Sequence, residues 1–298
     1  MSTDGFVELE PLLTAASTAS PWKGGEYCAD TDLLEQMIGI PIGQGADSQS
    51  GRLAKSLDAW IAHELRRAGF TPDEVWPRKE APRVLPHEVS TFLSNLPKAM
   101  RADLYKRLLK DKKTAPSSAK VLGRAYVKQV DVVVAQWARG PEIMISTKTM
   151  GSSFGNNMAN RFEESYGDAK NLRGRHPLAA IGFVFLLNSS IYSQESASYE
   201  RAIDMMRKLK AEFDVYDATA LIIADWTQGS AEGIKTRPDL VPEDLSINNF
   251  FEGVVGAVLS RTPIDMHVAV REKREAREIP VPEQDPAIEP SLSGLEGD

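Results

Sequence analysis

The chain has 298 residues, 42% of them hydrophobic and 26% charged, and carries a formal net charge of −7. That length and balance suit a globular protein with one large domain, and the acidic total excludes a chain that binds nucleic acid over its whole surface. The single cysteine, Cys28, excludes an internal disulfide and a cysteine zinc cluster, and the four histidines (His63, His87, His176, His267) show no ligand spacing.

The opening Met-Ser-Thr-Asp-Gly-Phe lacks the basic and apolar regions of a signal peptide. No apolar run approaches the roughly 20 residues that cross a bilayer. A cytoplasmic chain without a membrane partner is therefore expected.

Residues 1–45 are acidic, with apolar helix candidates at Val7–Ala16 and Tyr27–Gln44, and read as a peripheral arm. Ser50–Gly69 predicts an amphipathic helix: Leu53, Leu57, Trp60, Ile61 and Leu65 recur at helical spacing, and Gly69 is a natural stop. Pro72–Pro86 is a proline-punctuated connector. Glu88–Lys110 is a second helical region broken near Pro97. From Lys98 to Lys128, ten Lys or Arg face only Asp103 and Asp111, a local surplus suited to phosphate.

Beyond this run, β-branched residues take over. Val121–Gln136 predicts one or two strands and Glu142–Lys148 another, with Arg139-Gly140-Pro141 as the turn. Then come a helix at Asn156–Arg173, a buried strand at Leu178–Leu187, a helix at Ser196–Phe213, a strand at Ala218–Trp226 and a helix at Ser246–Leu259. This order predicts an α/β domain with a mixed sheet over 46–262. Residues 263–298 are proline-rich and acidic toward the end, with Glu283, Asp285, Glu289, Glu296 and Asp298, and read as a disordered tail.

In a hairpin turning near Arg139, paired positions sum to about 278, so Asp131 faces Ser146-Thr147. Ser146 and Lys148, two apart, project from one face. An acid, a hydroxyl and an ammonium would converge there. This arrangement resembles the core of the PD-(D/E)xK nucleases, in which strand acids hold Mg²⁺ and a lysine attends the attacking water. Val130 stands where that family has proline, and Ser146 where it has the second acid. A branch of the superfamily supplies the missing carboxylate from the following helix, where Glu163 and Glu164 lie, Glu163 first on spacing. Glu64 on the amphipathic helix is another candidate acid, although a surface glutamate paired with a nearby Lys or Arg is the simpler reading of it.

The stretch Gly151-Ser-Ser-Phe-Gly-Asn-Asn-Met-Ala-Asn-Arg-Phe-Glu-Glu-Ser-Tyr-Gly-Asp-Ala169 is similar to the segment after the catalytic lysine in XhoI-type restriction endonucleases. The resemblance covers about twenty residues and the strand before them, and does not extend to 1–45 or the tail. It implies a restriction-endonuclease-like mixed-sheet fold and a Mg²⁺- or Mn²⁺-dependent cut of double-stranded DNA in a restriction or phage-defence setting, by a homodimer. It implies Asp131, Ser146, Lys148, Glu163 and Glu164 as catalytic residues, with Asp131, Glu163 and Glu164 on the metal. The donors Ser152, Ser153, Asn156, Asn157, Asn160 and Arg161 suit phosphate oxygens or base edges. The Ser146 replacement keeps a second reading open: a member of this fold that binds DNA or assembles with partners while cutting weakly or not at all.

Overall fold

A computed structural model of the chain describes residues 5–46, 50–111, 113 and 115–276, apart from the side chains of Asn156 and Asn157. In chain order it holds α1 (Glu10–Ala15), β1 (Trp22–Lys23), β2 (Glu26–Tyr27), α2 (Thr31–Gly43), α3 (Arg52–Ala68), β3 (Val75–Trp76), α4 (His87–Ser94) and α5 (Lys98–Leu108). There follow β4 (Ala119–Leu122), β5 (Val127–Val130), β6 (Val132–Gln136), β7 (Gly140–Met150), α6 (Phe154–Arg173) and β8 (Ala180–Asn188). The chain continues through α7 (Ser190–Gln194), α8 (Ser196–Ala211), β9 (Ala218–Asp225), β10 (Lys235–Thr236), α9 (Ile247–Arg261) and α10 (Val268–Glu275).

Six strands form one mixed sheet in the order β10-β9-β8-β7-β6-β3. β6 and β7 are an antiparallel hairpin, whereas β7-β8 and β8-β9 are parallel because α6 and α8 carry the chain back across the sheet. Every residue of β8 is buried, as expected of a central strand covered on both faces, and its apolar run shows no alternation for that reason. β4 and β5 pair as a separate hairpin.

Two cores lie on opposite faces of the sheet. One joins Val132, Val134, Ile143 and Ile145 to Leu57, Trp60 and Ile61 of α3, to α2, and to Phe250, Phe251 and Val254 of α9. The other joins Val133 and Met144 to Phe154, Met158, Ala169 and Leu172 of α6 and to Met206 and Leu209 of α8. Gly182 of β8 is dictated by this packing, because a Cβ there would stand 2.7 Å from the Phe250 ring. The α/β class with a mixed sheet is therefore the architecture observed.

Residues 5–43 do not form a peripheral arm. Leu9, Leu34, Met37 and Ile38 are fully buried in the α3 core. Their helical spacing lays the apolar side of α2 on α3 and leaves the acids outside, so the acidic average concealed a core element. Part of the stretch expected as tail, 263–276, is folded. α10 packs against α3 with Val270 and Arg271 buried, and the Arg271 guanidinium donates to the Leu259, Thr262 and Pro263 carbonyls. Residues 277–298 lie outside the described residues.

Candidate functional site

The β6-β7 register pairs Val132 with Ile145 and Val133 with Met144, so the next pair inward is Asp131 and Ser146. Asp131 occupies a bend between β5 and β6. Strand alternation then sorts β7: Ile143 and Ile145 face α3, and Met144 faces α6. Thr147 continues the first row and Ser146 and Lys148 the second.

Thr147 holds two carboxylates. Its backbone N–H donates to Asp131 Oδ2 at 2.8 Å, and its hydroxyl donates to Asp58 Oδ1 of α3 at 2.6 Å. Asp58 is buried, with Ile61 and Leu65 following it at helical spacing on the buried side of α3. Burial, followed by the charge of Asp131, pushes the Asp58 carboxyl well above the ordinary carboxylate range against the Thr147 bond and the Lys55 and Lys148 charges. Burial also raises Asp131, against the Thr147 amide and the charges of Lys148 and Lys128. Asp58 and Asp131 line one cavity of about 80 Å³ together with Lys55.

On the other face, Lys148 Nζ lies 3.0 Å from Glu164 Oε1. Lys128 approaches the same oxygen at 3.7 Å and pairs closely with Asp168, which also accepts from the Tyr126 hydroxyl at 3.0 Å. Arg161 reaches the second Glu164 oxygen at 3.2 Å. Burial works to raise the Glu164 carboxyl, but the bond and charge of Lys148 outweigh it and leave it below its usual value. Its charge still reaches Asp131, where it favours the protonated form.

Asp131, Lys148 and Glu164 are thus brought together. Glu163, the first choice on spacing, is exposed and makes no ion pair among the described residues, because the neighbouring helical position points about 100° away. Ser146 sits on the Lys148 face, but the hydroxyl that joins the carboxylates belongs to Thr147. The expected shell of Asp131, Glu163 and Glu164 is not assembled, and among the described residues no group of three or more His, Cys, Asp or Glu is arranged to hold a metal ion. Glu64 turns inward elsewhere: it is fully buried against Arg67 at 2.6 Å and the Tyr27 hydroxyl at 3.2 Å. Six residues separate it from Asp58, roughly 240° around the helix.

Two desolvated carboxylates on one small cavity, with the Asp131 charge raising the proton affinity of Asp58, match the way Mg²⁺ is held: one or two carboxylates, the remaining positions taken by water. The donor set fits a hard cation and lacks the nitrogen or sulfur ligands that zinc prefers.

The segment leading into α6 is less open than its composition predicts. Ser152 and Ser153 are exposed, and Ser153 takes a left-handed φ of 56°. The first amides of α6, on Phe154 and Gly155, donate to the Glu195 carboxylate at 3.3 and 3.0 Å. A carboxylate thus occupies the first amides of α6, a place that otherwise suits a phosphate. Asn160 is exposed, Arg161 is tied to Glu164, and the side chains of Asn156 and Asn157 lie outside the described residues.

Asp58 was not singled out from the sequence, and Thr147 and Lys128 were named only by position, the one facing Asp131 and the other ending the basic run. The signal for Asp58 was present, since it shares the stripe of Ile61 and Leu65. Among the described residues, no helix is long and apolar enough to cross a membrane. Comparison with protein-family models, with curated proteins and with solved structures finds no match for this chain.

Proposed function

We propose that the chain is a Mg²⁺-dependent endonuclease of double-stranded DNA built on a restriction-endonuclease-like core. The observation that carries this reading is the meeting of Asp58 from a helix, Asp131 at a strand edge and Lys148 on the antiparallel neighbour around one hydroxyl and one amide of Thr147.

Asp58 and Asp131 would hold the cation. When bound, it offsets charge building on phosphorus and eases formation of the attacking hydroxide. Thr147 keeps both carboxylates in place without a competing charge. Lys148 stands beside Asp131 and presents a positive charge to the phosphate or the attacking water. Arriving phosphate competes with Glu164 for Lys148, Lys128 and Arg161, and the displaced glutamate is then free to accept a proton. The basic helix α5, which buries none of its residues, offers Lys98, Lys106 and Arg107 to the DNA backbone. Cutting both strands of a duplex calls for two copies of this site, hence a homodimer.

The test is incubation of the chain with plasmid and phage DNA in Mg²⁺ or Mn²⁺. Cleavage is expected to fall at least about a thousandfold in Asp131→Asn and Lys148→Ala, clearly in Glu164→Gln, and hardly at all in Glu163→Gln. Cleavage unaffected by the first two substitutions sinks the assignment.

One observation favours a second reading. Glu164 is held by three cations, and no three-acid group is arranged for a metal among the described residues. A chain that binds DNA or assembles with a defence partner without cutting fits that state. DNA retention with no cleavage under either metal selects it.

A further inference from the structure

A cavity of about 560 Å³ lies at the far end of α3, where that helix meets α1, the connector on either side of β3, and α10. It is separate from the Asp58 site, since Arg66 follows Asp58 by eight residues, roughly 12 Å along the helix. Its lining holds Arg66, Arg67, Arg78, Lys79 and Lys273 against only Asp73 and Glu80.

The charges are unevenly matched. Arg67 is paired with Glu64 at 2.6 Å and Arg78 with Asp73 at 3.0 Å. Arg66 donates only to carbonyls, those of Pro72, Val75 and Pro77 at 3.3, 2.8 and 2.6 Å. Lys273 donates to the Arg67 carbonyl at 3.1 Å. Arg66, Lys79 and Lys273 thus have no ion-pair partner among the described residues. Burial, followed by the neighbouring Arg78 charge, lowers Arg66 to about 10, and the charge of Asp73 only partly opposes them.

His63 adds no charge to the lining. It lines the same cavity and is only 6% exposed, and its Nε2 has no hydrogen-bond partner. Burial and the arginines keep the ring neutral, with a pKa of about 4.

We propose that this cavity binds a small organic phosphate whose phosphate meets Arg66, Lys79 and Lys273. The volume lies within the range of small-molecule sites and is far too small for a duplex. Free inorganic phosphate would satisfy the cations but would leave most of the cavity unfilled, which favours a phosphate carried on a small organic body. This site stands apart from the phosphodiester reading and shares only α3 with it.

Isothermal titration of the full chain with ribose 5-phosphate and with inorganic phosphate, against a chloride control of equal ionic strength, tests it. Ribose 5-phosphate is expected to bind saturably and at least about threefold more tightly than inorganic phosphate. The double variant Lys79→Ala/Lys273→Ala should weaken it by about tenfold or more while circular dichroism and the unliganded Tm stay unchanged. No binding above the chloride control overturns the site, as does affinity that survives the double substitution. Equal affinity for the two probes overturns the organic ligand.

Discussion

Thr147 joins the two carboxylates of the candidate site through two different atoms, and the two can be separated by substitution. Thr147→Val keeps the amide that serves Asp131 and removes the hydroxyl that serves Asp58. Asp58 would then be buried without that donor, a loss of about 1–3 kcal/mol. Urea unfolding at pH 8 should show that loss, and Thr147→Ser should recover most of it. Equal stability of the valine variant and the parent would show that the hydroxyl does not support Asp58. His63 makes a second prediction at this scale. Its folded pKa of about 4 lies below the unfolded value of about 6.5, so between these values the unfolded chain takes up a proton that the folded chain refuses. Stability from this group is therefore complete above about pH 7 and declines as pH falls toward 4, by about 3 kcal/mol. The unfolding free energy of the parent minus that of His63→Gln should follow this decline, since other groups cancel in the difference. A flat difference across the window would exclude His63 as its source.

At the scale of elements, the hairpin was legible because register follows from the turn. The pairing of Val132 with Ile145 gives a sum of 277, one less than the expected value, and Asp131 falls opposite Ser146 as anticipated. Which hydroxyl enters the site was not legible. Ser146 and Thr147 differ only in the sheet face they take, and the acid that needs a donor lies on the α3 face. The same limit applies to α6, where spacing along the chain favoured Glu163 and the helix rotation favours Glu164. For α3, the helix and its apolar stripe were plain from periodicity. Periodicity marks Asp58 and Glu64 alike as inward-reaching acids; only packing decides that one meets Thr147 and the other Arg67.

At the scale of the whole molecule, a net charge of −7 coexists with a basic, unburied α5. If α5 carries the DNA backbone, affinity should depend steeply on salt. In a Lys148→Ala background, Lys98→Gln/Lys106→Gln/Lys110→Gln should reduce the slope of log K against log salt by about 2 to 3. An unchanged slope, measured by fluorescence anisotropy on a short duplex, would move the DNA surface away from α5.

The amino-acid order alone determined the succession of helices and strands, the α/β class, the hairpin register and the convergence of Asp131 with Lys148, because periodicity and turn position act between near neighbours in the chain. Tertiary structure alone decided that residues 5–43 belong to the core, that Asp58 and Thr147 complete the site, that Glu195 caps α6, and that cations from α3, the connector and α10 share one cavity with His63. Each of these joins groups distant in sequence, Asp58 and Thr147 by 89 positions, and such contacts depend on how buried faces stack.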